Sequence, residues 1–259
     1  MSYKIAFFDI DGTLVNEDKE VPADTIEAIA ELKSRGVEVV IATGRAPYFF
    51  KPLAELLDID SFVSLNGAYV VYRGQPLFKR IISRTSLEAL VDHAAKHNHS
   101  LVFQGGDAFF SNSDAHPYVM EAVSSLKVDL PGYDPDYWKS ADIYQAFLHC
   151  QEEDEHLYNE VFPDLRLIRW HRAAMDVLPL TGSKAQGLEA MLQHLNLSPA
   201  EAVAFGDGLN DKEMLMLAGL GIAMGNSHEQ LKPYADYITT DVDKGGIRNG
   251  LLYAGLLEQ

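Results

Sequence analysis

A single cysteine, Cys150, in 259 residues excludes an internal disulfide, so stability must come from packing, and a reducing, cytoplasmic setting is expected. Basic residues are also scarce. Lysine and arginine total 21 against 38 aspartates and glutamates, a formal net charge of −17, and such a surface repels polyanions, which argues against a nucleic-acid partner. No apolar run reaches the roughly 20 residues of a membrane helix, and the opening residues carry neither a signal-peptide core nor a cleavage site. No membrane association is expected. Low-complexity tracts and internal repeats are missing too, which excludes solenoids and tails and leaves a packed globular chain. Nothing in the composition indicates an oligomeric state.

Apolar patterning then divides the chain. Residues 5–8 and 37–42 are short apolar runs, and between them Ile26, Ile29, Ala30 and Leu32 recur at helical spacing. Pro22 suits a first helical turn and Gly36 a left-handed helix end, so this stretch reads as strand, helix, strand with a parallel sheet. The same grammar returns after residue 183: a helix at 184–194 capped by Ser183, a buried strand at 202–205, a helix at 211–218 closed by Gly219, a strand at 221–224, a helix at 229–234 and a strand at 237–239. Residues 83–182 mix helical stretches (86–97, 118–126) with strand-like ones (101–104, 144–149, 165–170). The expected architecture is α/β, a core of 1–82 and 183–259 with an α+β domain inserted at 83–182.

Chemistry concentrates where strands end. Asp9 and Asp11 follow the run 5–8, and the C-terminal edge of a parallel sheet is where ligands bind. Two residues apart on extended chain, both carboxylates can point to one side, with Gly12 permitting a tight turn. On local grounds alone the pair could equally be a polar turn. An EF-hand calcium loop is excluded, because its sixth place would be Leu14 and the preceding run is strand-like. A second cluster, Gly206-Asp207-Gly208-Leu209-Asn210-Asp211, also follows a buried strand. As a dinucleotide fingerprint it fails at its third glycine, where Asp211 stands. Oxygen donors such as Asp9 and Asp207 instead suit a hard cation, magnesium. Thr43-Gly44-Arg45 ends the second strand, where a hydroxyl and freed backbone N–H groups could hold phosphate oxygens. Lys184 begins a helix, where a solvated surface lysine is the simpler local reading.

In combination and in this order, the four segments resemble the haloacid dehalogenase superfamily, specifically its Cof-like phosphatase branch with a type IIB cap. Asp9-Ile10-Asp11-Gly12-Thr13 matches the first motif, Thr43 the second, Lys184 the third and the segment 206–211 the fourth. Asn66-Gly67-Ala68 and Met224-Gly225-Asn226 are similar to strings of that branch, with Ser227 where alanine is more usual. The resemblance implies a Rossmann-like core and a magnesium-dependent phosphatase of small phosphorylated metabolites, sugar phosphates or phosphorylated cofactors. Asp9 is implied as nucleophile and Asp11 as the acid and base, holding its proton at a higher pKa than Asp9. Asp9, Asp11 and Asp207 are implied at the metal, the side chain of Asp11 being held off it, with Asp211 behind them or bound through water, and Thr43, Gly44, Lys184 and Asn210 as phosphate contacts. The insert is implied to act as a lid. A sugar phosphomutase and a non-catalytic phosphometabolite-binding regulator are the alternatives.

Overall fold

Four apolar residues in succession, Ile5–Phe8, form strand β1, and all four are buried. A strand without alternation is covered on both faces, as in parallel α/β sheets. In the computed structural model, which describes residues 3–258, helix α1 (Ala23–Ser34) and strand β2 (Glu38–Ala42) complete the first crossover, β2 running parallel to β1. Gly36 at φ +78° provides the left-handed step just past α1. Helix α2 (Pro47–Leu56) and strands β3 (Phe62–Ser64), β4 (Tyr69–Tyr72) and β5 (Gln75–Lys79) follow.

Next come α3 (Arg84–Lys96), β6 (Ser100–Gln104), β7 (Phe109–Ser111), α4 (Pro117–Ser125), β8 (Gly132–Tyr133), α5 (Tyr137–Ser140), β9 (Gln145–His149), β10 (Leu165–His171) and β11 (Ala174–Pro179). The chain ends with α6 (Lys184–Leu195), β12 (Ala202–Gly206), α7 (Lys212–Leu217), β13 (Leu220–Ala223), β14 (Tyr237–Ile238) and α8 (Gly246–Tyr253). Two units result. One holds the described residues up to Arg45, Phe50–Phe78 and those from Ser183 on, and the other holds Ala46–Phe49 and Lys79–Gly182.

The first unit is built on a sheet of order β14-β13-β12-β1-β2-β3-β4-β5. Its strands from β14 to β3 are parallel. Ala6 and Phe8 pack on one face with Ala28, Ile29 and Leu32 of α1 and Ile247 and Leu251 of α8. Ile5 and Phe7 pack on the other with Leu188, Met191 and Leu192 of α6 and Met214 and Leu215 of α7. This is the α/β class expected from the sequence. The second unit is a six-stranded sheet of order β10-β11-β9-β6-β7-β8. One of its faces is covered by Leu87, Leu90 and Ala94 of α3 and Trp138 of α5; Val119 and Val123 of α4 pack on Val102 and Phe147 of the other.

Several local expectations change. The helix expected at 229–234 is a single 3-10 turn, Lys232–Tyr234, because Pro233 has no N–H to donate. Helix α2 was not expected, since Pro52 stands inside it. Within the second unit, Trp170 packs on Phe147 at 5.0 Å, the His171 ring accepts from the Ala173 N–H, and Arg172 makes two hydrogen bonds to Glu121.

His149, on β9, is fully buried and neither ring nitrogen has a hydrogen-bond partner. Burial pushes its pKa down to about 3, so it is neutral in the fold, whereas an unfolded histidine takes up a proton below about pH 6.5. Between those values the unfolded chain binds more protons, and this residue's contribution to stability falls as pH falls, by up to about 1.4 kcal/mol per pH unit. His149→Leu should therefore flatten the loss of melting temperature between pH 6.5 and 5, relative to wild type. Parallel melting curves of the two proteins over that range check this.

Candidate active site

Asp9 and Asp207 reach one place because their strands are neighbours: β1 and β12 pair in register from Ile5↔Ala202 to Phe8↔Phe205. The Asp9 N–H extends the ladder to the Phe205 carbonyl at 3.0 Å, and Phe8 stacks on Phe205 at 4.9 Å. The chain runs outward from β1 through β2 and β3, and outward from β12 through β13 and β14 on the other side. The carboxylates thus sit where the strand order reverses, the place where open α/β sheets bind ligands. Thr43 directly follows β2, is buried, and accepts the Arg45 N–H on its hydroxyl at 3.1 Å.

Lys184 is not a surface lysine. Its side chain is fully buried, and Nζ donates to Asp9 Oδ1 and to Asp211 Oδ1, each at 2.5 Å. Two glycines bring it there. A Cβ on Gly67 would lie 2.0 Å from the Ser183 carbonyl, and one on Gly187 would lie 2.3 Å from Val63, so the start of α6 presses directly onto the segment after β3. Asp211 Oδ2 accepts the N–H groups of Asp207 and Gly208, both at 2.9 Å. The Asp211 carboxylate therefore holds the loop that carries Asp207 while also orienting Lys184.

Asp11 departs from expectation. Its carboxylate lies outside the cluster formed by Asp9, Asp207 and Asp211, and is held by Arg45 through two hydrogen bonds of 2.7 Å and by Lys19 at 2.6 Å. Burial alone would raise its pKa, but Arg45 and then Lys19 outweigh burial and lower it. Its side chain stands off that cluster, and its pKa is lowered rather than raised in this arrangement, because two cations face it. In the sequence nothing marks Lys19, and Arg45, next to Gly44, shows no role until the fold brings it to Asp11. Asn210 stands beside the site and donates to Asn66 at 3.2 Å, and Asn66 in turn lies against Gly44.

A model of the haloacid dehalogenase-like hydrolases matches residues 6–251. The chain belongs to that family. This hydrolase is 40% identical over 258 residues to the Bacillus subtilis (strain 168) protein named "Putative phosphatase YkrA", with all of both chains covered. A Geobacillus kaustophilus HTA426 crystal structure is 47% identical, with a TM-score of 0.94 and coverage of 99% and 100%. The structure of BT4131, a HAD subclass IIB sugar phosphatase, is 30% identical, with a TM-score of 0.88 and coverage of 98% and 100%. The hydrolase stands in the phosphatase branch with the subclass IIB insert.

Magnesium, which the haloacid dehalogenase-like family generally uses, can be tested against the residues present. Asp9, Asp207 and Asp211 each offer an oxygen within 4.8 Å of the others, a donor set suited to a hard cation. Three carboxylates face one ammonium, leaving two negative charges in excess. Burial pushes the Asp9 pKa well up, Lys184 opposes it, and Asp211 and Asp207 add to it; Asp207 is raised by burial and by Asp211. A divalent cation would remove that penalty, so the residues fit. A cavity of about 600 Å³, lined by Asp11, Gly12, Asp207, Asn226 and Asp241 among others, opens beside Asp207.

Supports of the hydrolase's first loop went unread in the sequence. Thr13 donates to Asp207 Oδ1 at 3.0 Å, and Asn226 donates to the Gly12 carbonyl at 2.8 Å while accepting the Val242 N–H. Gly12 itself has φ +76°, and a Cβ there would lie 2.2 Å from Asp207 Oδ2. Gly12→Ala should displace the Asp207 carboxylate and weaken magnesium binding by about tenfold or more. The magnesium concentration needed to raise the melting temperature by half its maximum checks this.

Proposed function

We propose that this hydrolase is a magnesium-dependent phosphatase of small phosphorylated metabolites, with sugar phosphates and phosphorylated cofactors the leading classes, working through an aspartyl-phosphate on Asp9. The observation that carries the reading is the buried Asp9 carboxylate at the tip of β1, fixed by Lys184 and accompanied by Asp207 and Asp211. An Asp9 oxygen attacks phosphorus and the bond to the leaving oxygen breaks, that oxygen taking a proton from Asp11. Water then attacks the same phosphorus, gives its proton to Asp11, and the bond to Asp9 breaks, releasing inorganic phosphate.

Asp11 as arranged is an anion and so a base. Donating to the leaving oxygen requires it to separate from Arg45 and Lys19 and take up a proton first. Thr43, the Gly44 N–H, Lys184 and Asn210 hold the transferring oxygens, where positioning supplies most of the catalysis. Asp9 and Asp207 would hold magnesium, which when bound supplies positive charge to the phosphoryl oxygens and keeps Asp9 ionised. The neighbouring structure, a subclass IIB sugar phosphatase, favours sugar phosphates.

The test is inorganic phosphate release from a panel of phosphorylated metabolites with magnesium and with a chelator. Release with magnesium alone is expected. Failure across the panel would remove the phosphatase reading.

A further inference from the structure

The turn between β3 and β4 carries more than a hairpin requires. Ser64 pairs with Tyr69, so Leu65-Asn66-Gly67-Ala68 closes the hairpin, and Asn-Gly is a favoured turn pair because both residues accept a left-handed backbone. In this turn three successive residues are left-handed, Leu65 at φ +51°, Asn66 at φ +52° and Gly67 at φ +89°. All three are buried, Leu65 completely. Leucine adopts that conformation only at a cost, and hairpin tips ordinarily run over the surface. A strained turn of this kind persists where its surroundings over-determine it.

Those surroundings are the segments that hold phosphate, and every residue concerned belongs to the first unit. The Leu65 N–H donates to the Arg45 carbonyl and the Asn66 N–H to the Thr43 carbonyl, both at 3.1 Å, so the turn grips the segment 43–45 at both ends. A Cβ on Gly44 would lie 3.1 Å from the amide oxygen and from the amide nitrogen of Asn66; only glycine leaves room for that amide. Asn66 Oδ1 in turn accepts from Asn210 Nδ2 at 3.2 Å. Gly67 lies against the Ser183 carbonyl, immediately before Lys184.

We propose that Asn66 is a positioning residue for phosphate binding. Its backbone fixes the segment 43–45, and its side chain, lodged against Gly44, fixes the direction in which Asn210 presents its amide. An amide nitrogen carries two N–H groups; with one directed to Asn66, the other is held ready for a phosphoryl oxygen, and donors oriented in advance cost no rearrangement when charge arrives. Asn66 itself touches no reacting atom. The role rests on the phosphatase reading and adds to it the part that aligns its phosphate contacts.

Asn66→Gly keeps the left-handed backbone and removes the amide, whereas Asn66→Ala also places a Cβ on that backbone. The dissociation constant for inorganic phosphate, read by calorimetric titration with magnesium present, should rise about tenfold in both, so either variant alone reports on the side chain. Asn210→Ala should raise it by a similar factor. Because Asn66 acts through Asn210, the double variant Asn66→Gly, Asn210→Ala should stay within about threefold of Asn210→Ala alone. Asn66→Ala should melt about 2–5 °C below Asn66→Gly, since its Cβ is strained at positive φ. Unchanged phosphate affinity in the Asn66 variants, or a double variant about tenfold weaker than Asn210→Ala, would overturn the proposal; equal melting of the glycine and alanine variants would overturn its backbone half. Wild-type protein that neither binds phosphate nor releases it from any ester would instead remove the phosphatase reading, and the role of Asn66 with it.

Discussion

Asp9→Asn should lower kcat by about a thousandfold or more while leaving the protein folded. The substitution keeps the shape of the side chain and an oxygen that can accept from Lys184, so the contact with α6 survives. What disappears is the anion. Amide oxygen is a poor nucleophile, and among the described residues the other nearby carboxylates are engaged: Asp11 is turned to Arg45 and Lys19, Asp207 accepts from Thr13, and Asp211 is occupied by Lys184 and two backbone N–H groups. Because burial raises the Asp9 pKa well above its ordinary value, a neutral side chain there relieves a desolvation penalty. The metal-free variant should melt no lower than wild type, while the upward shift that magnesium gives wild type should shrink. Steady-state kinetics and melting curves with and without magnesium read both effects, and full turnover in the variant removes Asp9 as nucleophile.

Lys184→Met acts on the same network from the opposite side. Burial alone would lower the lysine's pKa, but Asp211 and Asp9 hold it up. Removing one partner of a buried charge pair leaves the other uncompensated, and such changes cost about 3–5 kcal/mol. Here two carboxylates lose their cation together, so a fall in melting temperature of order 10 °C is expected without metal. Magnesium should recover part of it, because a cation near Asp9 supplies some of the missing charge. A melting temperature within a degree or two of wild type would mean that Lys184 compensates neither carboxylate, contrary to the geometry.

The parts of this site legible in the sequence are those set by a few consecutive residues. Asp9 and Asp11 could be placed because an apolar strand ends immediately before them and Gly12 turns the chain; the segment 206–211 repeats that grammar. Lys184 could not be read locally, since a lysine at a helix start resembles any solvated side chain. Its burial depends on Gly67 and Gly187, whose missing side chains let α6 approach a segment more than a hundred residues earlier. The partners of Asp11 were hidden for the same reason: extended spacing shows that two carboxylates can share a side, but not which cations come to meet them. Arg45 arrives from the end of β2 and Lys19 from the loop before α1. In the second unit the strands were visible as apolar runs, whereas the pairing that aligns Gln104 with Gln145 and Phe109 is a property of register, which no single strand reveals.

In the proposed mechanism phosphate passes through Asp9, and trapping that state is the decisive measurement. Wild-type protein mixed with a turned-over phosphate ester and magnesium, quenched in acid within milliseconds and digested, should yield a phosphorylated peptide containing Asp9, labile at alkaline pH and absent from Asp9→Asn. Rapid phosphate release with no covalent phosphate on that peptide at any quench time, or phosphate found on another residue, would contradict the account.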